Sequence, residues 1–158
     1  MMTIKLSDLL LLSIGISMLT ACSVRKDDYS DSLFSVERTY DFNYRSLLKE
    51  GFERVSEVDI LVLEKLNADT TITMSFEEDG KILYSKNWRF LIPSSEKEWI
   101  DSFFQSNGAF LMSPVGKYDL SDDLFFTVKE VKQNRLFLCN VLFEAGNLYL
   151  DVVYYYPR

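Results

Sequence analysis

Alternation of apolar and polar positions predicts most of the secondary structure of this chain. Ile72, Met74 and Phe76 alternate with hydroxyl-bearing residues, which is typical of a strand with one buried face. Turn signals separate such segments, among them Asn67-Ala68-Asp69 and Asp79-Gly80. The pattern predicts seven strands, over 34–42, 58–63, 71–76, 82–92, 124–131, 135–143 and 148–156.

Two segments have helical spacing instead. In 96–106 an apolar stripe is preceded by Ser95 and Glu98, which match a capping box, and is followed by Gly108, a common residue after a helix end. A second stripe predicts a helix over 44–55, although Gly51 is unfavourable there. Residues 109–123 have no clear period and predict a loop. The first stripe consists of Trp99, Ile100, Phe103 and Phe104.

These elements predict an α+β fold, with an antiparallel sheet of about six to seven strands and one or two helices packed on one face. A small β-barrel or sandwich is the alternative. The sequence contains no evident internal repeat. Hydrophobic residues make up 47% of the chain and aromatic residues 15%, which is ample material for a core. We therefore expect a single globular domain over 33–158.

The N-terminus has a different pattern. One long apolar run, Leu9 to Leu19, follows Lys5 and ends in the sequence Leu19-Thr20-Ala21-Cys22. The run is too short to cross a bilayer, which takes about 20 apolar residues. A Leu, two small residues and a Cys after such a run resemble the lipobox of bacterial lipoproteins.

The resemblance implies that 1–21 is a signal peptide, cleaved between Ala21 and Cys22, and that Cys22 carries a diacylglyceryl group and an amide-linked chain such as palmitate. Two or more acyl chains hold a protein stably at a membrane. Residues 22–32 then form a lipidated, flexible tether. Ser23, which is not Asp, resembles the signal for the outer membrane, so the domain is expected to face the periplasm from its inner leaflet.

Charge and composition exclude several classes of function. The net charge is −7 and no basic cluster is present, which disfavours nucleic acid as a partner. The spacing of the six glycines matches neither of the phosphate-binding motifs G-x-x-x-x-G-K and G-x-G-x-x-G, so no bound nucleotide is expected. The chain has no histidine, which removes Ser-His-Asp triads and imidazole zinc sites. We predict no cofactor, no metal and no enzyme activity, and we expect Cys139, between apolar neighbours, to be a buried core residue.

Two groups are candidates for a partner surface. Three consecutive tyrosines close the last strand, with Tyr154 and Tyr156 on one face and Tyr155 on the other. If that strand lies at a sheet edge, it offers an aromatic patch. The acidic segment around Asp119, Asp122 and Asp123 is the second candidate.

The expected function is a binding module that holds or blocks a protein partner, as an accessory, pilot or immunity lipoprotein. The acidic chain would suit a basic partner. An envelope-polymer hydrolase that uses paired carboxylates is one alternative, with Glu77 and Glu78 facing the acidic segment 119–123. A purely structural envelope lipoprotein is another.

Overall fold

The computed structural model describes residues 29–37, 44–55, 60–77, 80, 82–112 and 124–157. The predicted signal peptide, Cys22 and the acidic residues of 119–123 lie outside the described residues. The described part contains helices α1 (Tyr44–Lys49) and α2 (Lys97–Ser106), and strands β1 (Glu53–Arg54), β2 (Leu61–Asn67), β3 (Thr70–Glu77), β4 (Ile82–Ile92), β5 (Ala109–Leu111), β6 (Leu124–Glu130), β7 (Arg135–Glu144) and β8 (Asn147–Tyr155).

The eight described strands form one open antiparallel sheet. Their order is β1-β2-β3-β4-β8-β7-β6-β5, so the short strands β1 and β5 form the two edges. The predicted antiparallel sheet with helices is confirmed, but six to seven strands was too few. The barrel and sandwich alternatives are wrong, because one sheet accounts for all described strands and its ends do not pair.

The fold contains the same structural unit two times, although the sequence shows no internal repeat. Each unit is a helix followed by four antiparallel strands, namely α1 with β1–β4 and α2 with β5–β8. The last strands of the units, β4 and β8, pair at the centre of the sheet, where Trp88 lies opposite Val152. The sheet is therefore continuous across the two units.

One face of the sheet, called here the inner face, carries the core. Directly paired residues cross it from β3 to β6 in the row Ile72, Trp88, Val152, Cys139 and Phe126, and all five are buried. Helix α2 covers this face with Ile100 and Phe104, both fully buried, and α1 contributes Leu47.

Residues 29–37, called here the strap, also cover the inner face. The Phe34 ring lies 4.7 Å from the ring of Phe137 and 6.2 Å from that of Phe104. The predicted strand over 34–42 is wrong for 34–37: Phe34 has a φ of 67°, and the Ser35 N–H donates to the Ser32 carbonyl, which is a turn. Residues 38–42 lie outside the described residues.

Four other sequence predictions needed correction. The strand predicted over 58–63 corresponds to β2, which begins at Leu61 and continues to Asn67. Helix α1 ends at Lys49 rather than Val55, because Gly51 has a φ of 90° and the Phe52 N–H bonds back to the Leu47 carbonyl. The capping box does not form, since Glu96 is the N-cap and no side chain caps the helix. The loop predicted over 109–123 begins with strand β5.

Other predictions are confirmed. Helix α2 spans 97–106 and is followed by Gly108 at a φ of 76°. The three strands after residue 123 lie within two residues of the predicted bounds. Strand β3 buries Ile72, Met74 and Phe76 as predicted. Asp79, half of the predicted Asp79-Gly80 turn, lies outside the described residues.

Candidate binding face of the sheet

The outer face of the sheet carries a cluster of exposed apolar side chains. Phe125 is 71% exposed, Leu138 52% and Leu136 55%, and all lie on adjacent strands β6 and β7. Together with Phe110 on β5 and Tyr155 on β8 they form what we call the outer patch. Soluble proteins rarely leave a contiguous apolar patch uncovered without a role for it.

The strand register brings the members of the outer patch close together, with Lys129 between two of them. Lys129 is paired with Phe110 on one side and with Leu136 on the other, and Leu138 is paired with Val153 on β8. The sequence signal for it is the unbroken apolar run 136–139 in β7. Because side chains alternate along a strand, such a run must be apolar on both faces. The sequence reading did not use this signal.

A fixed ion-pair cluster borders the outer patch. Arg89 on β4 lies directly opposite Asp151 on β8, and its guanidinium donates to both carboxylate oxygens at 2.8 and 3.1 Å. The guanidinium also donates to Glu144 Oε2 at 3.2 Å, and its central carbon lies 5.2 Å from the centroid of the Tyr149 ring. The hydrogen bonds to Asp151 hold the pKa of Arg89 above its usual range. The cluster is thus satisfied internally.

The outer face of the first unit is different in chemistry. Its central positions present hydroxyl groups, from Thr71, Thr73, Ser75 and Ser85, which lie on the paired strands β3 and β4. Two leucines on the same face, Leu66 on β2 and Leu91 on β4, are 74% and 51% exposed. The outer patch differs in containing aromatic rings as well as leucines.

The inner face contains a buried charged centre. The Lys86 ammonium, fully buried, lies 2.6 Å from Glu37 Oε1 and also donates to the carbonyls of Ser30 and Ser35, at 2.9 and 3.1 Å. The Tyr156 hydroxyl donates to Glu37 Oε2 at 2.8 Å. The rings of Tyr29 and Trp88 lie 4.8 and 4.9 Å from the ammonium.

Electrostatics at this centre follow from its burial. Desolvation lowers the pKa of Lys86, while the Glu37 carboxylate opposes that shift. Desolvation, followed by the charge of Glu37, raises the pKa of Tyr156 above its ordinary value. The side chains of Lys86 and Glu37 are 0% and 2% exposed. This centre therefore joins the strap to the sheet and offers no atom to a substrate from solution.

Sequence reasoning missed this centre, although part of the signal was present. Lys86 has the same strand parity as Trp88 and Phe90, which places it on the inner face. Its partners could not be found in this way, because Glu37 lies 49 residues away along the chain and Tyr156 is 119 residues from Glu37.

The structure separates the three candidate tyrosines. Tyr155 is 48% exposed and belongs to the outer patch, Tyr154 is half-buried, and Tyr156 is buried at 6% exposure on the inner face. The condition that their strand lies at an edge is not met, since β8 pairs with both β4 and β7. The acidic candidates Asp119, Asp122 and Asp123 lie outside the described residues.

The other candidates for chemistry were Glu77, Glu78 and Cys139. Glu77 ends β3 half-buried, whereas Glu78 lies outside the described residues. Cys139 is buried as predicted, and burial raises the pKa of its thiol. The described residues contain no group of three His, Cys, Asp or Glu side chains that could hold a metal ion. In the same part of the chain, no helix has the length and apolar character needed to cross a bilayer.

Comparison with protein-family models, with curated proteins and with solved structures gives no match for this chain.

Proposed function

We propose that this chain is a lipid-anchored binding module that faces the periplasm and holds or blocks a protein partner. Acylated Cys22 is its membrane anchor, at the inner leaflet of the outer membrane. Its role is that of an accessory, pilot or immunity lipoprotein and is not enzymatic. The observation that supports binding is the outer patch, whose five side chains are 45–71% exposed.

The energetics of the outer patch favour a covered state. Burying a Leu or Phe side chain contributes about 1.5–3 kcal/mol, and the patch offers several on one nearly continuous surface. Phe and Tyr, which the patch contains, are among the side chains enriched at protein interfaces. The surrounding net charge of −7 would speed the approach of a basic partner.

Capture from native membranes tests the proposal. We expect the acylated protein, solubilised gently, to carry a partner in stoichiometric amount, and Leu138→Glu to abolish its recovery. Leu48→Glu on α1 is the matched control, since Leu48 is 47% exposed but lies on a helix. A partner that is absent, or equally retained by Leu138→Glu, contradicts the binding role.

The anchor is tested in the same cells. Radiolabelled palmitate should enter the wild-type protein, and Cys22→Ser should lose both the label and membrane association. The anchor is contradicted if label persists in Cys22→Ser, or if the wild-type protein keeps residues 1–21 and fractionates away from membranes.

A further inference from the structure

We infer that the strap fixes the point at which the lipid anchor joins the domain, and that it thereby turns the outer patch away from the bilayer. This inference rests on the proposed acyl anchor at Cys22 and on the proposed binding role of the outer patch. It adds the side from which a partner reaches that patch, which is the aqueous side. The occupant is then a water-exposed segment of a protein, and not a lipid or a membrane-spanning helix.

The Lys86 ammonium holds the strap in a single register. Its three acceptors are the Ser30 carbonyl, the Ser35 carbonyl and the Glu37 carboxylate, which are spread over residues 30–37. A slip of the strap by one residue would break all three hydrogen bonds and leave a buried ammonium unpaired, which is strongly unfavourable. A buried ion pair adds little net stability compared with apolar packing, so we attribute this centre to the one position that it imposes on the strap.

The N-terminal end of the strap is also fixed to the sheet. The Asp31 carboxylate accepts from the Lys65 ammonium at 2.9 Å and from the Asn67 amide at 2.7 Å, both on β2. The Tyr29 ring lies 5.1 Å from the ring of Phe52, which directly precedes edge strand β1. The first described residue of the strap is therefore held on the inner face, close to the β1 edge of the sheet.

This attachment leaves a short tether. Only residues 22–28 precede the strap after the predicted cleavage site, so the chain from Cys22 to Tyr29 spans at most about 25 Å. Without the strap, the next fixed element would be α1, which begins at Tyr44, and the maximum span would rise to about 80 Å. The strap therefore shortens the maximum reach of the anchor about threefold.

A tether of this length favours an orientation with the inner face toward the bilayer. The strap lies about 10 Å above the sheet, the usual spacing of packed layers, whereas the outer patch lies on the opposite face, on the strands of the second unit. If the outer patch lay on the bilayer, the tether would have to run to the rim of the sheet and then pass the thickness of the domain, a path of about 25 Å. That path would use the full reach of the tether, and the opposite orientation needs no detour.

Energy transfer to labelled lipid tests this orientation. The full-length acylated protein is bound to phosphatidylcholine vesicles that contain an acceptor-labelled lipid, and it carries a donor dye at Leu48→Cys or at Phe125→Cys. Because α1 packs on the inner face and Phe125 lies on the outer face, transfer from Leu48→Cys should be about twofold more efficient. Native Cys139 is 2% exposed and should not take up the dye.

Two insertions of equal length test whether the strap is responsible. About 15 Gly/Ser residues inserted between Ser23 and Val24 lengthen the tether, and they should abolish the difference between the two dye positions. The same insertion between Tyr40 and Asp41 follows the strap in the chain. It should leave the difference unchanged, because the strap still holds the tether at Tyr29.

Equal transfer from the two dye positions would overturn the inference, and so would greater transfer from Phe125→Cys, which places the outer patch on lipid. A difference that survives the first insertion, or that the second insertion removes, would show that the strap does not set the orientation. Transfer that persists in Cys22→Ser would contradict the acyl anchor and the inference together. If the orientation is found but Leu138→Glu leaves capture of the partner unchanged, the strap has the inferred role and only the binding role is wrong.

Discussion

At the scale of single residues, Lys86 is a fully buried charge whose partners all lie within the described part of the chain. A buried ammonium costs several kcal/mol of desolvation, which must be offset by its partners. Lys86 has one carboxylate and two carbonyls within 3.1 Å and two aromatic rings within 5 Å. All acceptors come from the strap, so the lysine makes residues 30–37 part of the folded domain.

Replacing Lys86 should therefore destabilise the fold strongly. Lys86→Met keeps an apolar stem but leaves the Glu37 carboxylate buried without its cation, and we expect the free energy of unfolding to fall by about 3–5 kcal/mol. Urea denaturation monitored by circular dichroism measures this. Lys97→Met, which removes an exposed lysine paired with Asp101 on α2, should change it by less than about 0.5 kcal/mol.

A second variant separates charge from packing. Glu37→Gln in the Lys86→Met background removes the stranded carboxylate, so the double variant should be more stable than Lys86→Met alone. Equal midpoints for Lys86→Met and Lys97→Met would show that the buried pair does not stabilise the strap.

At the scale of elements, two glycines support turns for different reasons. Gly108, after α2, has a φ of 76° and open space around an added Cβ. Gly80, between β3 and β4, has a φ of 84°, and a Cβ there would meet side-chain atoms of Tyr44 and Leu61 at 2.7 and 2.8 Å. The first position needs glycine for its backbone alone, and the second needs it also for space.

Alanine at each position should show that difference. Gly108→Ala should lower the free energy of unfolding by about 1–2 kcal/mol, because a residue with a Cβ is disfavoured in the left-handed backbone conformation. Gly80→Ala adds overpacking of about 1–3 kcal/mol and should be clearly less stable in the same urea measurement. A Gly80→Ala midpoint at or above that of Gly108→Ala would mean that Tyr44 and Leu61 move aside without cost.

Elements with many regular residues were predictable from the sequence, and short ones were not. Strand β3 was found because Ile72, Met74 and Phe76 repeat at period two. Strand β5 was missed because three residues carry too little pattern. Phe34 and Val36 alternate like a strand, but a turn at Ser32–Ser35 places them differently. Local alternation shows which side chains are apolar. Whether a segment becomes a strand, and where it lies, depends on its pairing across the sheet.

At the scale of the whole molecule, the two repeated units explain why four of the five residues of the outer patch escaped prediction. The units join at β4 and β8, which places the C-terminal strand at the centre of the sheet rather than at an edge. The tyrosines of β8 are then divided between two faces. The outer patch arises from four strands, β5 to β8, so its position depends on sheet order, which no single segment encodes.

The change in folding stability at alkaline pH is also a property of the whole molecule. The ordinary pKa is 9.0 for Cys139 and 10.0 for Tyr29 and Tyr156, and burial raises all three in the fold. Above pH 9 the unfolded chain releases protons that the folded chain keeps, so stability falls as pH rises. Lys86 acts in the opposite sense, because its pKa is lowered from 10.5 and the unfolded chain holds that proton longer.

Because burial raises the pKa of three groups and lowers the pKa of only one, we predict a net decline in stability as the pH rises. Urea unfolding from pH 7.5 to 10.5 should show a free energy that falls progressively above pH 9, by up to about 1.4 kcal/mol per pH unit for each raised group. Cys139→Ala removes the group that titrates first, so the decline should begin nearer pH 10 in that variant. A free energy that stays level to pH 10.5, or an onset that Cys139→Ala does not move, would contradict burial of these groups as the cause.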